Sequence, residues 1–196
     1  MTYIILAILA VLVIWALSSY NKFVTLKTQI EASIQEIGNQ LKRQAELIPN
    51  LVSSVKGYMK HEKGIFEDLT SARKQVLEVV AKPGSNPQEL IDASTHLEKA
   101  MSGLRVTLES NPEIKADQPT QKLMDELRDT SDKTMYSRRT LIDLSQNYNA
   151  MVVRMPSALI AMLFNFKKET GLKIGDTQAA TTVTSEETKT PKVDLS

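Results

Sequence analysis

The sequence predicts an all-α protein, in which an N-terminal transmembrane helix precedes an antiparallel bundle of long helices, one of them kinked at Pro49. Three observations support this fold class. Residues 3–17 are apolar without interruption, and beyond them apolar side chains recur every three or four residues, as along one face of an α-helix. Aromatic residues make up only 5% of the chain, and its mostly aliphatic apolar residues suit helices better than a β-sandwich.

Composition limits the possible classes of protein. The chain has 196 residues, a net charge of +1 and no cysteine, which allows one domain, or one domain with appendages. A charge so near zero argues against a nucleic-acid-binding protein, which usually carries a strong basic excess. The lack of cysteine excludes disulfides, a lipid-modified N-terminal cysteine and cysteine-based zinc sites.

Residues 1–20 are interpreted as a retained transmembrane anchor. At about 1.5 Å per helical residue, the apolar run with its flanking residues is just long enough to cross a hydrocarbon core of ~30 Å. Tyr3, Trp15 and Tyr20 lie near its ends, where amphipathic rings favour the headgroup region. The competing interpretation is a cleaved signal peptide, but no basic residue precedes the run and residues 16–18 make only a weak cleavage site.

The predicted orientation depends on two lysines. Lys22 and Lys27 follow the apolar run and no basic residue precedes it, so the charge bias places the rest of the chain in the cytoplasm. The sequence therefore predicts a single-pass protein of the cell membrane with most of its chain cytoplasmic.

Residues 21–168 are predicted to form the helical bundle. Apolar side chains keep helical spacing in three long segments, separated by "KPGSNP" at 82–87 and "SNPEIKADQP" at 110–119. Asn86 is expected to cap the helix that follows it, with Pro87 at the first helical position. Amphipathic helices with such short connections cannot bury their apolar faces alone, so an antiparallel bundle is the natural solution.

Pro49 lies inside the first segment, whose apolar spacing continues in phase from Tyr20 to about Val80. A proline inside a helix removes one backbone hydrogen bond and costs roughly 3 kcal/mol. We interpret it as a kink in one long helix, because a chain reversal would need a longer loop than "IPN". Asn50 and the serines at 53–54 are expected to bond the freed backbone groups locally.

The middle of the last long helix is unusually polar, because its apolar stripe is interrupted by Thr130, Thr134, Arg138 and Ser145. A buried arginine would need a partner. The preferred interpretation is that this stripe faces a groove or the solvent edge. The alternative is a polar seam that sets the register of the helices or binds a ligand.

The segment "PSALIAMLFNFKK" at 156–168 is too short to span a bilayer. It is interpreted as a short helix that caps the open end of the bundle. The alternative is an interfacial segment, with Phe164 and Phe166 in the membrane and the following lysines on lipid phosphates. Residues 169–196 are predicted to be a disordered tail, since the chain after Gly171 is rich in Thr, Ser, Glu and Lys and has no apolar stripe.

No catalytic constellation is recognisable in the sequence. His61-Glu62 is not completed to the His-Glu-x-x-His pattern of zinc proteases, and the paired Glu-x-x-His motifs of a di-iron bundle are missing. His61 and His96 are both expected at the surface or at its boundary. We therefore predict no enzymatic activity, no cofactor and no metal site.

The stretch "LKRQAELIPNLVSSVKGYMKHE" at 41–62 resembles the signature of the LemA family. The resemblance extends over roughly residues 1–168, and further downstream positions that fit are Ala72, Arg73, Asn111, Pro112, Glu113, Tyr148, Asn149, Pro156, Leu159, Ile160, Ala161 and Phe166. Gly38 departs from the family, which often has an acidic residue there, and residues 131–142 lack an acidic pair with Asn and a first Tyr-Asn pair. The resemblance implies a membrane-anchored helical bundle with no established enzymatic activity.

The motif also defines a candidate interaction surface, which comprises Lys42, Arg43, Pro49, Asn50, Lys56, Tyr58, His61 and Glu62. One interpretation is a solvated helix face, and the other is a docking surface for a partner protein or an acidic lipid headgroup.

The predicted function is a membrane-anchored, non-enzymatic scaffold or adaptor that presents this surface around "LIPNLV". The alternative is a membrane-stress or ligand- or lipid-binding sensor component that uses the polar seam. Expected partners are the lipid bilayer, an unidentified protein and, from the heptad-like stripes, further copies of the chain. Nucleic acid is not expected.

Overall fold

The computed structural model describes residues 1–59, 63–82, 84, 86–110, 114 and 117–169, and every regular element in these ranges is α-helical. The helices are α1 (Thr2–Val55), α2 (Lys63–Ala81), α3 (Pro87–Glu109), α4 (Gln118–Val153) and α5 (Ser157–Leu163). The predicted all-α class is confirmed. The tail predicted at residues 169–196 lies outside the described residues, apart from Glu169.

Helix α1 has two parts with different surroundings. Its first part contains an apolar window with a mean hydropathy of 2.4, none of which is buried, and this makes it a candidate membrane span by length and composition. From Phe23 onward the same helix enters the bundle and buries one face, formed by Phe23, Ile30, Ile37, Leu41, Gln44, Ala45, Ile48, Leu51 and Val55. One uninterrupted helix therefore joins the apolar stretch to the core.

Successive long helices run in opposite directions, as predicted for an antiparallel bundle. Three contacts between helices mark the directions: Arg43 of α1 meets Glu126 of α4, Phe23 of α1 meets Tyr148 of α4, and Arg73 of α2 meets Ala45 of α1. The most extensive backbone contacts are between α1 and α4, followed by those between α2 and α3. The core thus centres on α1, which α4 follows along most of the bundle.

The chain reverses after Val55, where the sequence interpretation continued one helix to about Val80. That extension is wrong. The backbone N–H groups of Tyr58 and Met59 both bond to the carbonyl of Val55 in the turn that ends α1, and α2 then returns along α1. Gly57 within this turn is a poor helix former, whereas Pro49 lies inside α1, as predicted.

The start of α3 confirms the predicted cap. The Asn86 side chain accepts a hydrogen bond from the N–H of Gln88 at 3.0 Å, and Pro87 occupies the first helical position. Asp117 caps α4 in the same way, through the N–H of Thr120.

The polar stripe of α4 is buried against α1, so its expected position at a groove or solvent edge is wrong. Thr130 is 0% exposed, and Thr134 and Ser145 are also buried. The hydroxyl of Thr130 donates to the carbonyl of Leu127 at 2.9 Å, and that of Thr134 donates to Thr130 at 2.8 Å. Because the helix satisfies its own hydroxyls, these small side chains can be buried and let α1 approach closely. Arg138 lies at the edge, 3.9 Å from Glu98 of α3.

Candidate functional site around Pro49

Pro49 leaves one carbonyl of α1 without its helical partner, and a side chain from α2 takes that place. Proline has no N–H to donate to the carbonyl four residues earlier, which is that of the fully buried Ala45. Arg73 Nε donates to this oxygen at 2.8 Å. Ser53 Oγ donates to the Pro49 carbonyl at 2.9 Å, which is not the freed group, so the expected local bonding of the freed group by Asn50 or the serines at 53–54 is not what the structure shows. The orphaned carbonyl itself is satisfied from another helix.

The structure brings most of the predicted surface residues together on one exposed face of α1. Lys42, Pro49 and Lys56 repeat at intervals of seven residues and so fall in one row. Arg43 and Asn50 lie beside this row, and all five residues are exposed. We call this set the Pro49 face. Tyr58 is exposed in the turn that follows α1, while His61 and Glu62 lie outside the described residues.

The Pro49 face carries spaced and mixed charges. Lys42 and Lys56 are about 21 Å apart along the helix axis at 1.5 Å per residue, and exposed Glu46 lies between them. The Arg43 guanidinium is 2.9 Å from the Glu126 carboxylate of α4, and both side chains are about half exposed. Such a pair contributes about 0–1 kcal/mol to stability. The face therefore lacks the concentrated positive charge that attraction of a polyanion would require.

A polar cavity of about 270 Å³ lies between α1, α3 and α4, on the core-facing side of α1. Its polar lining residues are Gln44, Glu98, Ser102, Arg105, Arg128, Ser131 and Asp132. Gln44 is only 7% exposed, and within the described ranges the buried Nε of Arg105 has no hydrogen-bond partner. Sequence reasoning missed this cavity, although a glutamine at a core-facing position of the motif helix was a usable signal.

A family model described as the LemA family matches residues 33–186. The chain belongs to the LemA family. The match contains the Pro49 face, Arg73 and the whole of α4, and it begins beyond the apolar stretch of α1. The resemblance drawn from the motif at 41–62 is thereby confirmed. A comparison with curated proteins finds no match.

Tyr148 and Asn149 of α4, which also fit the LemA resemblance, make contacts at the end of the bundle where α1 enters it. We call this end the base of the bundle. The ring of Tyr148 meets Phe23 edge-on at 5.7 Å. The amide of Asn149 donates to the carbonyl of Glu169 at 3.0 Å and accepts from its N–H at 2.8 Å. Burial, and then the charge of Glu169, raises the pKa of Tyr148 above its usual value. These contacts hold the chain after α5 against α4.

Of the two histidines, the structure describes His96, whereas His61 lies outside the described residues. His96 is half-buried between α3 and α2, where its Nδ1 lies 2.7 Å from Oε1 of Gln75. Over the part of the chain that the structure describes, no group of three or more His, Cys, Asp or Glu side chains is arranged to hold a metal ion. His96 therefore has a structural explanation as a link between α2 and α3.

Proposed function

We propose that this LemA-family chain is a membrane-anchored, non-enzymatic helical scaffold that presents the Pro49 face to a partner protein. One observation carries the proposal: α1 runs without interruption from its exposed apolar stretch to Val55. A helix with its first part in a bilayer transmits its position directly to the bundle built around its second part. A flexible linker at this point would leave the bundle merely tethered.

The distance along α1 favours a protein partner over a lipid headgroup. Pro49 lies 29 residues beyond Tyr20, which corresponds to about 44 Å along the helix axis. The headgroup layer extends only roughly 5–8 Å beyond the hydrocarbon core on each side. The Pro49 face of an upright α1 is therefore out of reach of the bilayer that holds the helix, and its mixed charges suit a protein surface.

We further propose that the protein is a single-pass component of the cell membrane with its bundle in the cytoplasm. Lys22 and Lys27 support this orientation, since basic residues are enriched on the cytoplasmic side of a span. Protease added to intact cells is expected to leave the bundle undigested. Digestion of the bundle from outside would reverse the orientation.

Site-specific photo-cross-linking in cells tests the scaffold proposal. A photoreactive residue at Glu46, in the middle of the Pro49 face, is expected to capture a defined partner, and the double variant Lys42→Glu with Lys56→Glu is expected to abolish capture. A photoreactive residue at the exposed Lys74 of α2 is the matched control. Circular dichroism checks that each variant stays folded. Equal capture from Lys74, or capture that survives charge reversal, would reject the Pro49 face as the docking site.

Homo-oligomers remain a prediction. The heptad-like stripes that suggested further copies are occupied by packing within the chain, where α1 and α4 bury them against each other. Light scattering of the purified protein in detergent would give the subunit number.

The cavity between α1, α3 and α4 favours a second candidate function, that of a ligand-binding sensor. Its buried Gln44 amide and the free Nε of Arg105 among the described residues are suited to a small polar ligand. A ligand that binds only the folded state raises its stability, by about 2.7 kcal/mol at one hundred times its Kd. In a thermal-shift screen, a stabilising compound whose effect disappears in Arg105→Met would support this function. A shift that persists in the variant would place the ligand elsewhere.

A further inference from the structure

The chain after α4 folds back against the base of the bundle, beside the point where α1 leaves its apolar stretch. The hydroxyl of Ser157 donates to the carbonyls of Met151 at 2.7 Å and Arg154 at 2.9 Å, which fastens the turn between the two helices. Helix α5 then packs against α4 and α1, with Ile160 and Ala161 buried. The predicted cap on the open end of the bundle is thus present.

A backbone turn at the end of α5 returns the chain to the aromatic core. Asn165 has a φ of 57°, the left-handed conformation that commonly ends a helix. The N–H of Phe166 bonds to the carbonyl of Ala161 at 2.9 Å, and that of Asn165 bonds to Met162 at 3.4 Å. The Phe166 ring then stacks on Phe23 with centroids 4.7 Å apart. These bonds hold α5 in one place, so its outward side is a defined surface.

The outward side of α5 and its flanks is apolar and uncovered. Its side chains are between 48% and 75% exposed, and they are Met155, Leu159, Met162, Leu163 and Phe164. Single exposed apolar side chains are normal in proteins, but a contiguous group of this kind marks a contact with a membrane or another molecule. We refer to residues 155–164 as the foot.

The foot lies level with the end of the apolar stretch of α1. The ring of Phe164 is 4.7 Å from that of Tyr20, centroid to centroid. Tyr20 follows Leu17, the last residue of the apolar run, by three residues, or about 4.5 Å along the helix. When α1 spans a bilayer, Tyr20 therefore lies in the headgroup region, and the foot lies there with it.

The base of the bundle has the charge that suits an anionic membrane surface. The segments that form it, residues 1–30 and 144–169, contain one of the chain's 23 acidic residues, Glu169, whose backbone is bonded to Asn149. They carry exposed basic side chains on both sides of the foot: Lys22, Lys27, Arg154, Lys167 and Lys168. Basic residues close to the bilayer are attracted to anionic headgroups. The apolar foot and its basic surroundings have the chemistry of an interfacial membrane contact.

We propose that the foot is a second membrane contact, which lies in the interfacial layer of the bilayer that α1 spans and places its basic neighbours on anionic headgroups. This inference rests on the proposed anchoring through α1. Two contacts restrict the tilt of α1 and its bundle relative to the bilayer, and they thereby limit how far the Pro49 face can lean towards the membrane.

Fluorescent labelling of the full chain tests the foot, and the absence of cysteine from the sequence makes single-site labelling straightforward. An environment-sensitive dye is attached to Met162→Cys in the foot, Leu12→Cys in the apolar stretch, and Val106→Cys on α3. Val106 is the matched control because it is an exposed apolar side chain on another helix, 66% exposed. Each variant is reconstituted into vesicles that contain phosphatidylglycerol and a brominated lipid, and iodide serves as the aqueous quencher.

The proposal expects the brominated lipid to quench the labels at Met162 and Leu12, and iodide alone to quench the label at Val106. If the brominated lipid quenches the label at Leu12 but iodide quenches the label at Met162, the foot does not contact the membrane, whereas the transmembrane position of α1 is supported. No lipid quenching at Leu12 would overturn the anchor and the inference that depends on it. A Met162 label shielded from both quenchers would overturn the foot as a lipid contact, because protein would then cover it.

Removing the basic neighbours tests the electrostatic part of the proposal. Changing Arg154, Lys167 and Lys168 to Gln is expected to reduce lipid quenching at Met162 in vesicles with phosphatidylglycerol. The same number of charges removed elsewhere, at Lys74, Lys99 and Lys122, is expected to leave it unchanged. Equal quenching in the two triple variants would overturn the role of these charges.

Discussion

Replacing Arg73 by methionine removes the hydrogen bond that compensates for Pro49 while keeping most of the volume of the side chain. The carbonyl of Ala45 is buried, so the variant leaves it without a partner. A hydrogen bond to a charged group contributes about 1.5–3 kcal/mol, and we therefore expect Arg73→Met to lower the free energy of unfolding by about 2 kcal/mol.

The same substitution in a Pro49→Ala background isolates the cause. Alanine restores the N–H at position 49, which then donates to the Ala45 carbonyl within the helix, so Arg73 is no longer needed there. The cost of Arg73→Met is expected to fall below about 0.5 kcal/mol, and the coupling energy between the two positions to be about 1.5 kcal/mol. Pro49→Ala alone is expected to stabilise the protein, since an interior proline costs about 3 kcal/mol, of which Arg73 offsets a part.

Thermal unfolding of the full chain in mild detergent, followed by helical circular dichroism, measures all four members of this cycle. A loss of about 2 kcal/mol corresponds to roughly 4–8 °C in Tm for a protein of this size. Lys74→Met, at the neighbouring exposed position of α2, is the matched control and is expected to change stability by less than about 0.5 kcal/mol. An equal cost of Arg73→Met in both backgrounds would refute the link between the arginine and the proline.

Other substitutions test the core and its hydroxyls. Phe23→Ala removes a fully buried ring and is expected to cost about 3–5 kcal/mol in thermal unfolding. Because burial and then Glu169 raise the pKa of Tyr148 above 10.0, wild-type stability is expected to fall as the pH rises past 10, and less steeply in Tyr148→Phe. Thr134→Val removes one hydrogen bond to a carbonyl of the same helix and is expected to cost about 1 kcal/mol, whereas Thr134→Leu overpacks the contact with α1 and costs about 1–3 kcal/mol. Gly38→Ala is expected to stabilise α1 by about 0.5–1 kcal/mol, since its new methyl group meets no atom within 4 Å.

Three of these expectations have a clear contradicting outcome. A loss of stability well below about 3 kcal/mol in Phe23→Ala would mean that the aromatic cluster at the base contributes little to the free energy of unfolding. Unfolding measured as a function of pH compares the wild type with Tyr148→Phe. If stability falls equally steeply above pH 10 in both, the pH dependence belongs to other groups. Tolerance of Thr134→Leu would place α1 and α4 farther apart than their extensive contacts require.

The polar stripe of α4 illustrates why burial was harder to predict than helical structure. From the sequence, Thr130 and Thr134 counted as polar and were assigned to a groove or solvent edge. In the structure their hydroxyls donate to carbonyls of their own helix, so they pack as small side chains against α1. Residue polarity predicts exposure only when the polar group must find its partner outside the helix.

The reversal after Val55 shows a second limit. The apolar stripe before the turn and the stripe after it keep the same phase in the sequence, although two helices that reverse at a turn can share one core whatever that phase is. From periodicity alone, the two stripes were therefore interpreted as one helix that continues to about Val80. The bond between Arg73 and the Ala45 carbonyl joins residues 28 positions apart, and it exists only because α2 returns along α1.

Local patterns were enough to predict the helical class, the apolar stretch of α1 and the cap at Asn86, because each depends on neighbouring residues and local backbone geometry, and the motif at 41–62 was enough to indicate the family. The compensation of Pro49 by Arg73, the burial of the α4 threonines and the position of the foot beside Tyr20 became visible in the folded chain alone. These features depend on contacts between segments distant in the chain, which the packing of the helices brings together.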